Sequence, residues 1–132
     1  MLRKRGLTGA VAALLLTTAG SVMAPAALAT ATGNRHALPA PRVNWNGCDL
    51  SYANLNDALL PHASLVGTDL HGASLIDANI TNANLGGTDL RETFLTGATL
   101  TGADLGGVTW QHTSCPDGTN SNNDGGTCMN NL

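Results

Sequence analysis

The chain has 132 residues, six Lys or Arg against nine Asp or Glu, and a formal net charge of −3. Aromatic residues make up 3% of it, too few to line a deep apolar pocket. The acidic balance disfavours nucleic acid or an anionic membrane surface as partner.

Residues 1–29 are expected to be a secretory signal peptide. Arg3, Lys4 and Arg5 make a basic start, an apolar run follows from Leu7 to about Leu16, and Ala27-Leu28-Ala29 is an A-x-A cleavage signal. The run is too short for a membrane span and is broken by Thr17, Thr18, Gly20 and Pro25. Cleavage before Thr30 and a secreted, extracellular location are therefore predicted, with no stable membrane insertion afterwards. The mature chain would keep Arg35, Arg42 and Arg91 against nine acids, three minus nine, or −6. Residues 30–42 are rich in Ala, Thr, Pro and Gly and read as a flexible lead-in.

From residue 43 to 112 the chain repeats in fives: VNWNG CDLSY ANLND ALLPH ASLVG TDLHG, and onward without a slip. The third residue of each five is large and apolar. These are Trp45, Leu50, Leu55, Leu60, Leu65, Leu70, Leu75, Ile80, Leu85, Leu90, Leu95, Leu100, Leu105 and Trp110. The first residue is usually Ala, otherwise Val, Cys or Thr. Five matches neither the helical nor the strand period; the first and third residues alternate as in a strand, and the next two turn a corner. Gly-x-x-(Leu/Trp) strings at 47–50, 67–70, 87–90 and 107–110 add a period of twenty, which makes four fives one coil.

These strings, with Ala53-Asn54-Leu55, Ala83-Asn84-Leu85 and Ala103-Asp104-Leu105, resemble the pentapeptide-repeat family, whose pattern is A-(D/N)-L-x-x. The resemblance implies an all-β fold, a right-handed quadrilateral β-helix. Fourteen fives would make about three and a half coils of this solenoid. Leu and Ala positions would face in and the other three out. Trp45 and Trp110 would cap the ends, as terminal units of a repeat array must. Gly recurs at the fifth position, where a turn requires positive φ, and Pro61 follows a centre residue, where its fixed φ suits a corner.

Outward positions hold the candidate surface sites. Asp49, Asp69 and Asp89 fall in one column, roughly 5 Å apart if coils stack at strand spacing. Like charges so placed predict a raised pKa for at least one of them, and a row of oxygens that a cation could visit. His62, His71 and His112 fall in outward positions too dispersed to ligate a metal and are read as solvated, as is His36. Leu59 and Phe94 are apolar residues at outward positions.

Residues 113–132 leave the repeat for a polar tail bracketed by Cys115 and Cys128. Its form, C-P-D-G-T-N-S…G-G-T-C, resembles the tail of secreted actinobacterial pentapeptide-repeat proteins. An oxidising compartment predicts a Cys115–Cys128 disulfide with Cys48 left as a buried thiol. Cys48 belongs to the first coil, some 14 Å from Cys115 by strand spacing, and a bond needs Cα atoms within about 7 Å. Asn120, Asn122, Asp124 and Gly125 partly fit a calcium loop, but Asn stands at its first position and Asn131 at its twelfth, so a disulfide-closed turn is favoured.

No nucleophile elbow, phosphate-cradling Gly loop or spaced Cys/His set occurs. No enzyme, cofactor or metal is expected. The sequence reading is a secreted, non-catalytic structural or protein-interaction module. It would present rigid polar faces to a protein, a cell-wall component or, end to end, another copy of itself. The alternative implied by the resemblance is a DNA mimic that binds a topoisomerase; export and the small number of coils argue against it.

Overall fold

The structure, a computed structural model, describes residues 38–132. The expected signal peptide and most of the lead-in lie outside the described residues. The turn pattern is in place by residue 42: Val43 N–H donates to Ala40 O at 3.1 Å, and Arg42 N–H donates to Pro61 O at 2.9 Å.

From Val43 to Val108 every five makes the same local bond. The N–H of the first residue donates to the centre carbonyl three residues before it, as in Ala53 to Leu50 and Ala83 to Ile80. The residue between, at the fifth position, has positive φ, between 57° and 76° from Arg42 to His112. This is the signature of a type II turn, which accepts Pro second and wants Gly or Asn third. The expectation that Gly marks this position covers only part of it. Arg42, Tyr52, Asp57, His62, Asp77, Asn82, Glu92 and His112 hold the same left-handed conformation. None is β-branched, the class for which it is most costly.

Turns stack at a repeat of twenty. Asn44 bridges Ser64, which bridges Asn84, which bridges Asp104, and the same holds for the columns from Asp49, Asn54 and Leu59. All these bridges are parallel, and each is isolated. No continuous β-strand or sheet occurs among the described residues, and the only helical element there is a three-residue 3-10 turn, Ser121–Asn123.

This overturns the expected all-β class, a right-handed quadrilateral β-helix of about three and a half coils, and the description of the chain as a β-helical solenoid. Each turn spans the centre residue, the two after it and the first of the next five, so only the second residue of each five is left to bridge. A ladder cannot propagate from a single bridge. What the chain builds is a stack of β-turns tied vertically by single bridges. The expected function falls with the class: among the described residues no sheet underlies rigid polar faces that could serve as a scaffold or as a mimic of DNA.

The interior is a column of centre residues. Trp45, Leu50, Leu55, Leu60, Leu65, Leu70, Leu75, Ile80, Leu85, Leu90, Leu95, Leu100, Leu105 and Trp110 are all buried, with Ala53, Ala58, Ala63, Ala73, Ala78 and Ala83 packed between them. Where Thr replaces Ala it is also buried, and its hydroxyl finds a carbonyl in the turn below. Thr68, Thr88, Thr93 and Thr113 Oγ1 donate to Trp45, Leu65, Leu70 and Leu90 O at 2.7–2.8 Å. Burial thus costs these hydroxyls no lost bond.

Candidate functional site: the open end of the stack

The corners satisfy one backbone group by three different devices. At most corners that group is the N–H of the residue after the centre, which lies near the side chain of the residue two before it. Where that residue is Asp or Asn, its Oδ1 accepts. Examples are Asp49 from Ser51, Asp69 from His71, Asn79 from Thr81 and Asp104 from Gly106, at 2.9–3.0 Å. Where it is Ser, a side chain one turn below substitutes. Asn46 Oδ1 accepts from Val66 N, and Asn56 Oδ1 from Ile76 N. Where it is Pro39, Leu59 or Ser114, the N–H itself is gone, because Pro41, Pro61 and Pro116 follow.

The aspartate column is consumed by this turn chemistry. Asp49, Asp69 and Asp89 are bridged one above another, but each Oδ1 accepts from its own turn. The expected rise in pKa does not occur at either end of the column. The Ser51 hydroxyl and N–H hold Asp49 below the usual carboxylate range. Asp89 is lowered by its bond with the Arg91 guanidinium, which outweighs burial. His71 is half-buried rather than solvated. It meets the Tyr52 ring edge-on at 5.3 Å, and its Nδ1 has no hydrogen-bond partner among the described residues. His62 and His112 lie exposed at corners. Phe94 and Leu59 are exposed, each in a bridge column.

The tail closes part of the last turn. Cys115 and Cys128 are bonded, with Cα atoms 5.3 Å apart, and Cys48 is a buried free thiol. Ser114 and Asn120 form an antiparallel bridge, and Cys115 N–H donates to Thr119 O. Buried Ser121 accepts from Thr113 N at its Oγ, which also donates to Trp110 O at 3.5 Å. Asn122 Oδ1 accepts from His112 N. The oxygens of the partial calcium loop are therefore spent in different places: Asn120 Oδ1 on Asn122 N, Asn122 on His112, and Asp124 Oδ2 on Thr119. Asp117 is lowered in pKa by the Asn131 amide and by Thr119. Among the described residues no three His, Cys, Asp or Glu side chains gather as a metal site.

The tail leaves the other half of the end uncovered. In each lower turn, the centre N–H and the fifth-position N–H donate upward, and the first-position carbonyl accepts from above. At the level of Ile80, Ile80 N donates to Thr99 O, Asn82 N to Thr101 O, and Thr99 N to Ala78 O. On residues 98–107 this layer is missing. The N–H groups of Leu100, Gly102, Leu105 and Gly107 and the carbonyls of Ala98 and Ala103 have no hydrogen-bond partner among the described residues. Trp110 is 7% exposed and Leu105 8%, against 0% for the centre residues in mid-stack. Ala103 and Val108 are half-buried. A groove of about 480 Å³, lined by Gly97, Ala98, Pro116, Asp117 and Asn130 to Leu132, runs beside this edge. The sequence reading missed the site, because an open edge depends on where the tail folds back, and no single residue type marks it.

The fold is thus that of a turn-built repeat protein with one end partly closed by its own tail. Residues 48–87 and 78–109 match the family model for pentapeptide repeats, in eight copies, and through this segment the chain belongs to the pentapeptide-repeat family. Among solved structures it is similar to HetL, a pentapeptide repeat protein involved in heterocyst differentiation regulation in the cyanobacterium Nostoc sp. strain PCC 7120. The two are 38% identical over 61% of this chain and 41% of that one, with a TM-score of 0.40. A pentapeptide repeat protein of the Arabidopsis thaliana thylakoid lumen is 28% identical over 55% of this chain and 57% of its own, with a TM-score of 0.33. Rfr23 of Cyanothece 51142 is 32% identical over 55% of this chain and 56% of its own, with a TM-score of 0.21. The chain spans about half the length of these relatives. No curated protein matches it. No helix of the described residues is long and apolar enough to cross a membrane.

Proposed function

We propose that this is an exported binding protein of the secreted type with a Cys-bracketed tail, and that it binds end-on. Its binding surface is the uncovered half of the last turn, and its partner is an extended stretch of polypeptide laid across that edge. The observation that carries this reading is the row of unpaired N–H and C=O groups on residues 98–107. An unpaired row of backbone groups is a template for another chain, and a peptide added to it gains main-chain bonds at once. The groove beside the edge offers room for the partner's side chains. Export is supported by Arg3, Lys4 and Arg5, the apolar run and Ala27-Leu28-Ala29.

A photo-cross-linker placed at Val108 should capture a partner from the culture fluid, while one at Asn79, on the side of the stack, should not. Capture from Asn79 alone would refute end-on binding. N-terminal sequencing of the exported chain should begin at Thr30, and a retained Met1 would refute export with cleavage.

A further inference from the structure

We infer that the polypeptide bound at this edge is basic, with a Lys or Arg seated in the groove beside Asp117. This rests on the end-on reading above and names the chemistry of its partner. The first argument is charge. From residue 93 to 132 the chain carries Asp104, Asp117 and Asp124 and no Lys or Arg. Asp104 is exposed on the open edge, and Asp117 is exposed where it lines the groove. Asp117 stays ionised, because the Asn131 amide and the Thr119 N–H and hydroxyl hold its carboxyl below the usual range. These bonds leave lone pairs on its oxygens for an incoming cation. A polypeptide that approaches this end meets negative side chains, which draw basic partners in and turn acidic ones away.

The second argument is the register that the edge imposes. Within the stack, Thr99 and Asp104 each give an N–H to the level below, at Ala78 and Ala83 O. Thr99, Thr101, Asp104 and Gly106 each give it a carbonyl, for Ile80, Asn82, Leu85 and Gly87 N. The open edge makes the same demand one level up. Leu100, Gly102, Leu105 and Gly107 N–H need carbonyls, and Ala98 and Ala103 O need N–H groups. A partner in this parallel register answers with residues i, i+2, i+5 and i+7, of which only i and i+5 donate. Residues i+2 and i+7 supply a carbonyl alone, so Pro is allowed there. This chain shows it: Pro61 O accepts from Arg42 N, and Pro116 O from Gly97 N. Ala98, whose carbonyl takes the N–H of residue i, also lines the groove with Asp117. The partner residues just before i therefore lie at the groove, which is the place of the basic side chain.

Fluorescence anisotropy of the disulfide-bonded chain with labelled synthetic peptides tests this. The peptide K-A-T-L-P-G-A-T-L-P-G, with Thr at i and i+5, should bind, and added salt should weaken it. E-A-T-L-P-G-A-T-L-P-G should bind about tenfold more weakly. K-A-P-L-T-G-A-P-L-T-G, which moves Pro to i and i+5, should lose about tenfold or more, because Ala98 and Ala103 O stay unpaired. Asp117→Asn should narrow the gap between the Lys and Glu peptides, while Asp57→Asn, at an exposed corner of the first full turn, should leave it unchanged. Hydrogen exchange gives a second readout: the amides of Leu100, Gly102, Leu105 and Gly107 should gain protection with the Lys peptide. Equal binding of the Lys and Glu peptides, with those four amides protected, overturns the basic partner and keeps end-on binding. Binding that leaves all four unprotected overturns both. If neither peptide binds, the basic partner is overturned, and capture through Val108 decides the end-on reading by itself.

Discussion

Gly72→Ala should destabilise the stack, and most of the added cost above backbone strain should come from one ring. Gly72 has φ +68°, and a Cβ built there would lie 2.5 Å from Tyr52 Cε1 and 2.6 Å from Cδ1. Tyr52 leans over Gly72 from the turn below and meets His71 edge-on. Left-handed backbone costs an L-residue about 1–2 kcal/mol, less the roughly 0.5–1 kcal/mol recovered because Ala has less unfolded-chain entropy to lose. Displacing the ring forfeits an aromatic contact of about 0.5–1.5 kcal/mol. The sum is about 0.5–3 kcal/mol, or up to several degrees in Tm for a domain of this size. In a Tyr52→Ala background the ring is absent, so Gly72→Ala should cost only the backbone part, about 1.5 kcal/mol or less. Urea denaturation of the four members of this cycle measures the coupling. An equal penalty in both backgrounds would mean that the ring does not occupy the space over Gly72.

The other predictions use the same melts. Leu75→Asp should abolish folding, because Leu75 is fully buried and an unpaired carboxylate there costs several kcal/mol; Asn79→Asp should be tolerated, since a carboxylate can still accept from Thr81 N. Thr88→Val should cost about 1 kcal/mol by removing the hydroxyl bond to Leu65 O, and equal stability would refute that bond. Asp89 has a folded pKa below its unfolded value, so its contribution is present above the unfolded pKa and lost as pH falls through the folded one. Acid titration of Tm should therefore fall less steeply in Asp89→Asn than in the wild type. Glu92→Gly should raise stability by up to about 1 kcal/mol, because Glu92 is exposed at φ 58° with no steric need for its side chain.

The buried column was legible because burial of one Leu-sized residue per five is written directly in the period. Every centre from Trp45 to Trp110 lies inside, and a register of twenty followed from the spaced Gly strings. The class of secondary structure was not legible. Alternation of Ala and Leu looks like a strand, but the left-handed fifth residue arrives before pairing can extend beyond one bridge. The aspartate column was read as a set of charges when each member is first a turn residue, with its Oδ1 taken by an N–H two residues on. Asn46 and Asn56 gave no signal at all, since their partners Val66 and Ile76 lie twenty residues away and matter only because Ser64 and Ser74 cannot cap their own turns. The open edge needed the path of the tail.

The vertical bonds of Asn46 to Val66 and Asn56 to Ile76 set a rule for how such a chain can lengthen. Inserting five residues preserves the turn period but moves every later residue one side around, so an Asn waiting below meets the wrong N–H. Inserting twenty returns each residue to its old column with its old neighbours. Duplication of a whole circuit is then nearly silent in the interior, while a single added five must be accommodated at every column above it. Length in this protein is quantised by its corners, and variants gained by slippage in the gene should survive mainly in steps of one full circuit.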